Sequence, residues 1–267
     1  MRAVPASLDR AVVAAIDARL DGVAATDQVR IPWAIESGSR AWGFPSPDSD
    51  YDCRFLYLRS PERYLSLWPA RDVIETPLDA VLDVNGWDLA KAVRLLVKGN
   101  VTAIEWLRSP IVYRGDAGFQ DRLLALADEV VDRGAVGRHY LHVARQQRLG
   151  GGSLKRFLYA LRPAVALRWL ADHPEARTPP MDLPTLVAES SLPAGVRSPV
   201  ADVVALKAVT RELGVATPPA VLERFVDAEL DRAGAFDDMA PAVDLVEARA
   251  RADEVFRAEV ASAPAVV

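Results

Sequence analysis

Two carboxylates one residue apart, Asp50 and Asp52, stand at the entry to an apolar run, Tyr-Asp-Cys-Arg-Phe-Leu-Tyr-Leu over 51–58. Side chains two apart in a strand share a face, so both acids point one way while Tyr51 and Cys53 point the other. Adjacent carboxylates repel unless a cation lies between them. A pair of Mg²⁺ ions about 3.5–4 Å apart would relieve that repulsion and hold a triphosphate for in-line attack; Mn²⁺, which also takes oxygen ligands, could serve. About a dozen residues upstream, Gly38-Ser39 follows an apolar segment and opens a short helix. Gly38 allows close backbone approach, the helix start offers unpaired N–H groups to a phosphate, and the Ser39 hydroxyl adds a donor. Arg40 could touch the same phosphate or be a solvated helix residue. Pro47-Asp48-Ser49-Asp50 alone would pass for a turn; its coincidence with Gly-Ser and an apolar strand favours catalysis.

The elements that must hold these groups follow from periodicity. Residues 29–36 read as a strand ending at the Gly-Ser turn, with Pro32 unwelcome if that strand is central. Residues 51–58 form a second strand, and 71–76 and 80–84 two more, joined near Pro77. Leu8, Val12, Ile16, Leu20 and Val23 recur at helical spacing, with Ser7 as the N-cap. Asp88 to Val97 is a helix, followed by a helical turn at Ile104 to Leu107. From 118 onward helices dominate, near 118–132, 136–149, 153–171, 197–213, 218–233 and 240–258. A Pro-rich connection covers 174–195, and Ala261 to Val267 is a frayed end. The fold class is α+β: an α+β part over 1–117 followed by an all-helical part over 118–267.

Composition narrows the classes. With 267 residues, 51 % hydrophobic and 26 % charged, the chain can bury a large core and is globular. No run of eighteen apolar residues is present, so no membrane span is expected, and the N-terminus lacks an apolar signal core; the expected location is the cytoplasm. One cysteine excludes a disulfide framework or a multi-cysteine zinc site. The net charge of −5 argues against a protein that coats nucleic acid non-specifically. Yet 138–168 holds seven Arg and Lys and no Asp or Glu. Within it Lys155, Arg156, Tyr159 and Arg162 share most of one helix face, a cationic wall for a triphosphate or an RNA backbone, with Tyr159 near base or sugar.

The segment Glu36-Ser37-Gly38-Ser39-Arg40-Ala41-Trp42-Gly43 with Ser49-Asp50-Tyr51-Asp52 resembles the signature of the polymerase β-like nucleotidyltransferases. Its wording is similar to one group there, the RlaP-like proteins named for an RNA-repair pathway. Asn85-Gly86-Trp87-Asp88-Leu89, Ile104-Glu105-Trp106-Leu107 and Tyr159-Ala160-Leu161-Arg162-Pro163 fit the same group, so the resemblance covers about 30–170. It implies a mixed sheet with flanking helices as the catalytic part and a helical part closing over the nucleotide. It also implies a third metal-holding carboxylate on a neighbouring strand. Asp83, inside an apolar strand, is the candidate; Asp88, in the first turn of a helix, and Glu105, which could brace an arginine, are its rivals.

The expected activity is transfer of a nucleoside monophosphate from an NTP, with ATP the favoured donor, to an acceptor hydroxyl. Asp50, Asp52 and Asp83 would hold the metals, and Gly38 and Ser39 would cradle the phosphates. An RNA 3′ end is the acceptor that the resemblance implies. A partner protein, as in antitoxin-type nucleotidyltransferases, is the alternative, and a catalytically silent nucleotide sensor a third reading. Trp42, Phe44 and Cys53 read as packing; His139, His142 and His173 lack the partners of a metal site; Gly150-Gly151-Gly152 reads as a hinge, with Ser153 as an N-cap.

Overall fold

A computed structural model of the chain describes residues 1–79, 81–149, 153–210 and 217–262. The first helix, α1 (Arg10–Asp27), is capped by Asp9, whose carboxylate accepts from Ala11 and Val12, and not by Ser7. The chain continues through β1 (Arg30–Glu36), α2 (Gly38–Ala41), β2 (Tyr51–Leu58), α3 (Pro61–Tyr64), β3 (Val73–Glu75) and β4 (Leu82–Asp88). Then come α4 (Leu89–Val97), α5 (Val101–Arg108) and β5 (Val112–Gly115). The strands form one sheet in the order β3-β4-β2-β1-β5, parallel between β2 and β4 and antiparallel elsewhere. The expected mixed sheet is present. Periodicity missed β5 and α3, each only four residues long.

β1 is interior to the sheet although it contains Pro32. The β1–β2 register shifts between Arg30 and Trp33, so the proline falls in the irregularity, where its missing N–H costs no ladder bond. Gly86 explains part of the Asn-Gly-Trp-Asp wording on β4: a Cβ there would lie 2.3 Å from the Phe55 ring on β2.

The sheet separates two apolar clusters. On one face Ala34, Cys53, Phe55 and Tyr57 pack under α1, which makes Cys53 a buried core residue. On the other, Trp33, Ile35, Leu56 and Leu58 join α4 and α5. Asp52 and Arg54 alternate with the first set and so lie on the second face, toward the helical layer.

That layer comprises α6 (Ala117–Val130), α7 (Arg133–Leu149), α8 (Leu154–Asp172), α9 (Leu183–Glu189), α10 (Arg197–Val209), α11 (Ala220–Arg232) and α12 (Leu245–Ala261). Its apolar cluster is continuous with the sheet's across position 117. The Pro-rich stretch is not only connection: it contains α9, and Leu183 donates its N–H to the Trp42 carbonyl, tying it to the end of α2. Ser153 caps α8 through Arg156 N; the Gly150-Gly151-Gly152 hinge lies outside the described residues. No described helix is long and apolar enough to cross a membrane.

Candidate active site

The strand ends bring Gly38 and Asp52 into contact. Ser37 N donates to the Asp52 carbonyl at 2.8 Å, so the turn after β1 is pinned to the start of β2. Gly38 has φ +59, a left-handed conformation, and a Cβ on it would lie 2.0 Å from Asp52 Oδ2. Glycine is required twice over: by the backbone angle and by the carboxylate against it. Ser39 is buried, and its hydroxyl donates to Ser49 Oγ at 2.9 Å, which also accepts from Ser46 N. Arg40 faces the opposite way: it donates to the Asp50 carbonyl at 3.1 Å and the Ser49 carbonyl at 2.6 Å and lies over the Tyr51 ring. It holds the loop that presents Asp50 and does not line the cleft.

Asp83 stands beside Asp52 in the parallel β2–β4 register. Arg54 joins them: one Nη2 donates to Asp52 Oδ1 at 3.0 Å and to Asp83 Oδ2 at 2.6 Å. The other Asp83 oxygen accepts from Asn85 at 3.1 Å. Burial pushes the Asp52 carboxyl up from its ordinary pKa, the Arg54 charge draws it back, and Asp83 and Asp50 push it up again. Among the described residues no three His, Cys, Asp or Glu side chains are gathered so as to hold a metal ion. The carboxylates that line the cleft are Asp48, Asp50 and Asp52; Asp83 does not line it and is engaged by Arg54 and Asn85. The rivals to Asp83 have structural partners. Asp88 caps α4 through Ala90 N and accepts from Tyr64, and Glu105 pairs with Arg162.

Glu36, the last residue of β1, received no role from the sequence. It is fully buried, accepting from Asp52 N at 2.9 Å and the Tyr113 hydroxyl at 2.5 Å. Loss of solvent pushes its carboxyl up to about 7, against the two hydrogen bonds. Because the folded pKa exceeds the ordinary value of 4.5, the folded state binds more protons between the two values, and stability falls as pH rises through that window. Glu36→Gln keeps an acceptor for Asp52 N and can donate to Tyr113. Its stability relative to wild type, measured by urea unfolding in EDTA, should improve by about 3 kcal/mol between pH 4 and pH 8. A pH-independent difference would refute the linkage.

Across from the carboxylates, α8 and α10 complete a cleft of about 300 Å³ lined by Gly38, Ser39, Asp50, Asp52, Lys155 and Tyr159 among others. Trp42 meets Tyr159 edge-on at 5.5 Å and Phe44 lies 6.1 Å from the same ring, so aromatic packing docks α2 onto α8. The expected cationic wall is narrower than the sequence suggested. Arg162 is buried in an ion pair with Glu105 (2.6 Å), donates to the Met181 carbonyl and lies under Trp42; it lines the smaller cavity beside this cleft and not the cleft itself. Arg148 pairs with Asp227 and Arg168 with Glu229, acids that lie on α11. Lys155 remains in the cleft and is joined there by Lys207 of α10, which the sequence reading missed. A second cavity of about 230 Å³ adjoins, sharing Ser37, Trp42 and Tyr159 and adding Thr102, His139 and Gln147 with the Glu105–Arg162 pair.

A mixed sheet that sets Gly-Ser at one strand end against Asp-x-Asp on the next, covered by helices on that face, is of the polymerase β type. Residues 12–258 match the family described as RlaP, RNA repair pathway DNA polymerase beta family, and the chain belongs to that family. It is 38 % identical over 209 residues, 76 % of this chain and 80 % of the other, to "Uncharacterized protein YcgL" of Bacillus subtilis (strain 168).

Proposed function

We propose that the protein transfers a nucleoside monophosphate from a nucleoside triphosphate to the 3′ hydroxyl of an RNA end. The observation that carries this reading is the Gly38–Asp52 contact at the mouth of the cleft. It sets a side-chain-free stretch of backbone against a carboxylate, as simultaneous binding of phosphate and metal requires. The family description supports RNA as the acceptor.

The donor set fits Mg²⁺. That ion is ordinarily held by one or two carboxylates, with substrate phosphate oxygens and water completing its shell, and Asp50 and Asp52 supply two such carboxylates in one cleft. When bound, the metal would neutralise charge on the transferring and leaving phosphates and lower the pKa of the acceptor hydroxyl. Arg54 fixes Asp52 through Oδ1 and leaves Oδ2 facing Gly38, and Asp83 in turn fixes Arg54. On this reading Asp83 is a positioning residue. Backbone at Gly38 and Ser39, with Lys155, binds phosphate. The adjoining cavity, where Thr102, His139 and Gln147 stand beside the Glu105–Arg162 pair, suits a nucleoside, and burial pushes the His139 pKa down. The acceptor oxygen attacks the α-phosphorus, the bond to the β-phosphate bridging oxygen breaks, pyrophosphate leaves and the hydroxyl proton passes to solvent.

The test is incubation of the protein with Mg²⁺ and each α-labelled NTP, with RNA in one series and protein in another. Label should enter RNA, and Asp50→Ala/Asp52→Ala should remove it. Label in protein would replace the acceptor, and Mg²⁺-dependent nucleotide binding without transfer would replace the enzyme by a sensor.

A further inference from the structure

Lys207 is placed where a helix ordinarily puts an apolar side chain. Val196, Val200, Val203 and Lys207 are all buried, at spacings of four, three and four residues, one stripe along α10 and its entry turn. Lys207 is 1 % exposed, yet its Nζ has no hydrogen-bond partner among the described residues. An ammonium deprived of water and unpaired is costly. The Phe44 and Tyr159 rings, 4.6 and 5.4 Å from Nζ, offset that cost only in part. The lysine does not point into sealed core: it lines the same cleft as Gly38, Asp50, Asp52 and Lys155.

The cleft has a polarity. The charges that bear on Tyr159 are Asp52 and Asp50, whereas those that bear on Lys207 are Lys155 and Asp48. Asp50 and Asp52 are suited to metal, Lys155 and Lys207, with Asp48 near them, bring the positive charge, and the Ser46 and Ser49 hydroxyls line the same cleft. A phosphate chain whose transferring phosphorus lies at the carboxylates must run its far end toward the lysines. Among the described residues no carboxylate lies within salt-bridge distance of either lysine, so that charge is available to a ligand.

We infer that Lys207, with Lys155, binds the distal phosphates of a polyphosphate chain and makes the cleft selective for nucleoside triphosphates over diphosphates. The assignment of which end is distal rests on the nucleotidyl-transfer reading; the anion site itself does not. Burial also holds the Lys207 pKa down, to about 8, and a bound phosphate would raise it again, because a nearby negative charge favours the ammonium.

The experiment measures binding calorimetrically, with Mg²⁺ present, for ATP, ADP and inorganic tripolyphosphate, on wild type, Lys207→Met and Lys207→Arg. Wild type should bind ATP more tightly than ADP. Lys207→Met should weaken ATP and tripolyphosphate by about 10- to 100-fold, with ADP affected less, and Lys207→Arg should retain part of the preference. The melting temperature of ligand-free Lys207→Met should not fall, because an unpaired buried cation has been removed. An unchanged ATP-to-ADP ratio in Lys207→Met, with nucleotide transfer intact in wild type, would overturn the inference and leave the proposed function standing. Tripolyphosphate binding lost in Lys207→Met, with no nucleotide bound by wild type, would support the anion site and overturn the nucleotidyl-transfer reading. Wild type that binds neither would overturn both.

Discussion

Gly38→Ala is expected to silence nucleotidyl transfer as completely as loss of Asp50 and Asp52, although it removes no functional group. Two penalties coincide. Alanine at φ +59 costs on the order of 1 kcal/mol of backbone strain. Its Cβ, 2.0 Å from Asp52 Oδ2, cannot be accommodated unless the carboxylate or the turn moves. Asp52 has little room to yield, because Arg54 holds its other oxygen, Glu36 accepts from its N–H and Ser37 donates to its carbonyl. The Gly-Ser turn therefore shifts, and with it the backbone that would meet phosphate. Displacement of about 1 Å at a reacting centre costs about 100-fold or more in rate, so transfer of label should fall by at least that factor. The fold should survive, since the turn lies at the mouth of a cleft and not in the core; circular dichroism and a melting temperature within a few degrees of wild type would show this. Activity within about threefold of wild type would mean that phosphate does not approach the protein at Gly38, and the proposed function would lose the observation that carries it.

The reasons why some of this was legible in sequence are physical. Gly38, Ser39, Asp50 and Asp52 are visible because each part of their arrangement is local: strand alternation orients the acids, and a strand-to-helix turn needs glycine. The strands over 29–36 and 51–58 emerge within a residue of their ends because alternation and apolar content agree there. Asp83 on the neighbouring strand, suggested by resemblance, does stand in register with Asp52. Its hydrogen bonds to Arg54 and Asn85 were not foreseen, because parallel register is set by pairing between distant segments. Arg162 shares a cavity with Tyr159, but not the cleft that Lys155 lines, for a related reason. Helical spacing puts it on the face of Lys155 and Tyr159, but seven residues along the helix reaches a different neighbour, and there Glu105 on α5 claims it. Lys207 could have been found: the stripe at 196, 200, 203 and 207 is readable in the sequence, and a lysine closing an apolar stripe is the signal. Glu36 could not, because its burial depends on Tyr113 of the short strand β5, which has too few residues to show a period.

Breaking the Glu105–Arg162 pair should be the most destabilising single change near the site. Both residues are 5 % exposed. Arg162 gives 2.6 and 3.4 Å contacts to the two carboxylate oxygens and a third bond to the Met181 carbonyl, while the Tyr140 hydroxyl donates to Glu105 at 2.9 Å. The pair thus joins α5, α7, α8 and the segment before α9, and its guanidinium lies 4.4 Å from the Trp42 ring that docks α2. Arg162→Met leaves a buried carboxylate whose remaining donor is Tyr140, at a cost of about 3–5 kcal/mol, read as a lower urea midpoint with an unchanged slope. The double variant Glu105→Leu/Arg162→Met removes both charges and should recover part of that loss, the remainder being the buried Tyr140 hydroxyl left without its acceptor. Activity discriminates further. Arg162 follows Tyr159 by one helical turn on α8, and Trp42 rests on both. The double variant, though stable, should still lose transfer, with a rise in KM for the nucleotide, because Trp42 no longer has a cation beneath it and the wall shared by the two cavities loosens. Stability and activity recovered together would show that the pair only fills space. Stability recovered with activity still lost would show that this buried charge pair sets the position of α2, and through α2 that of Gly38 against Asp52.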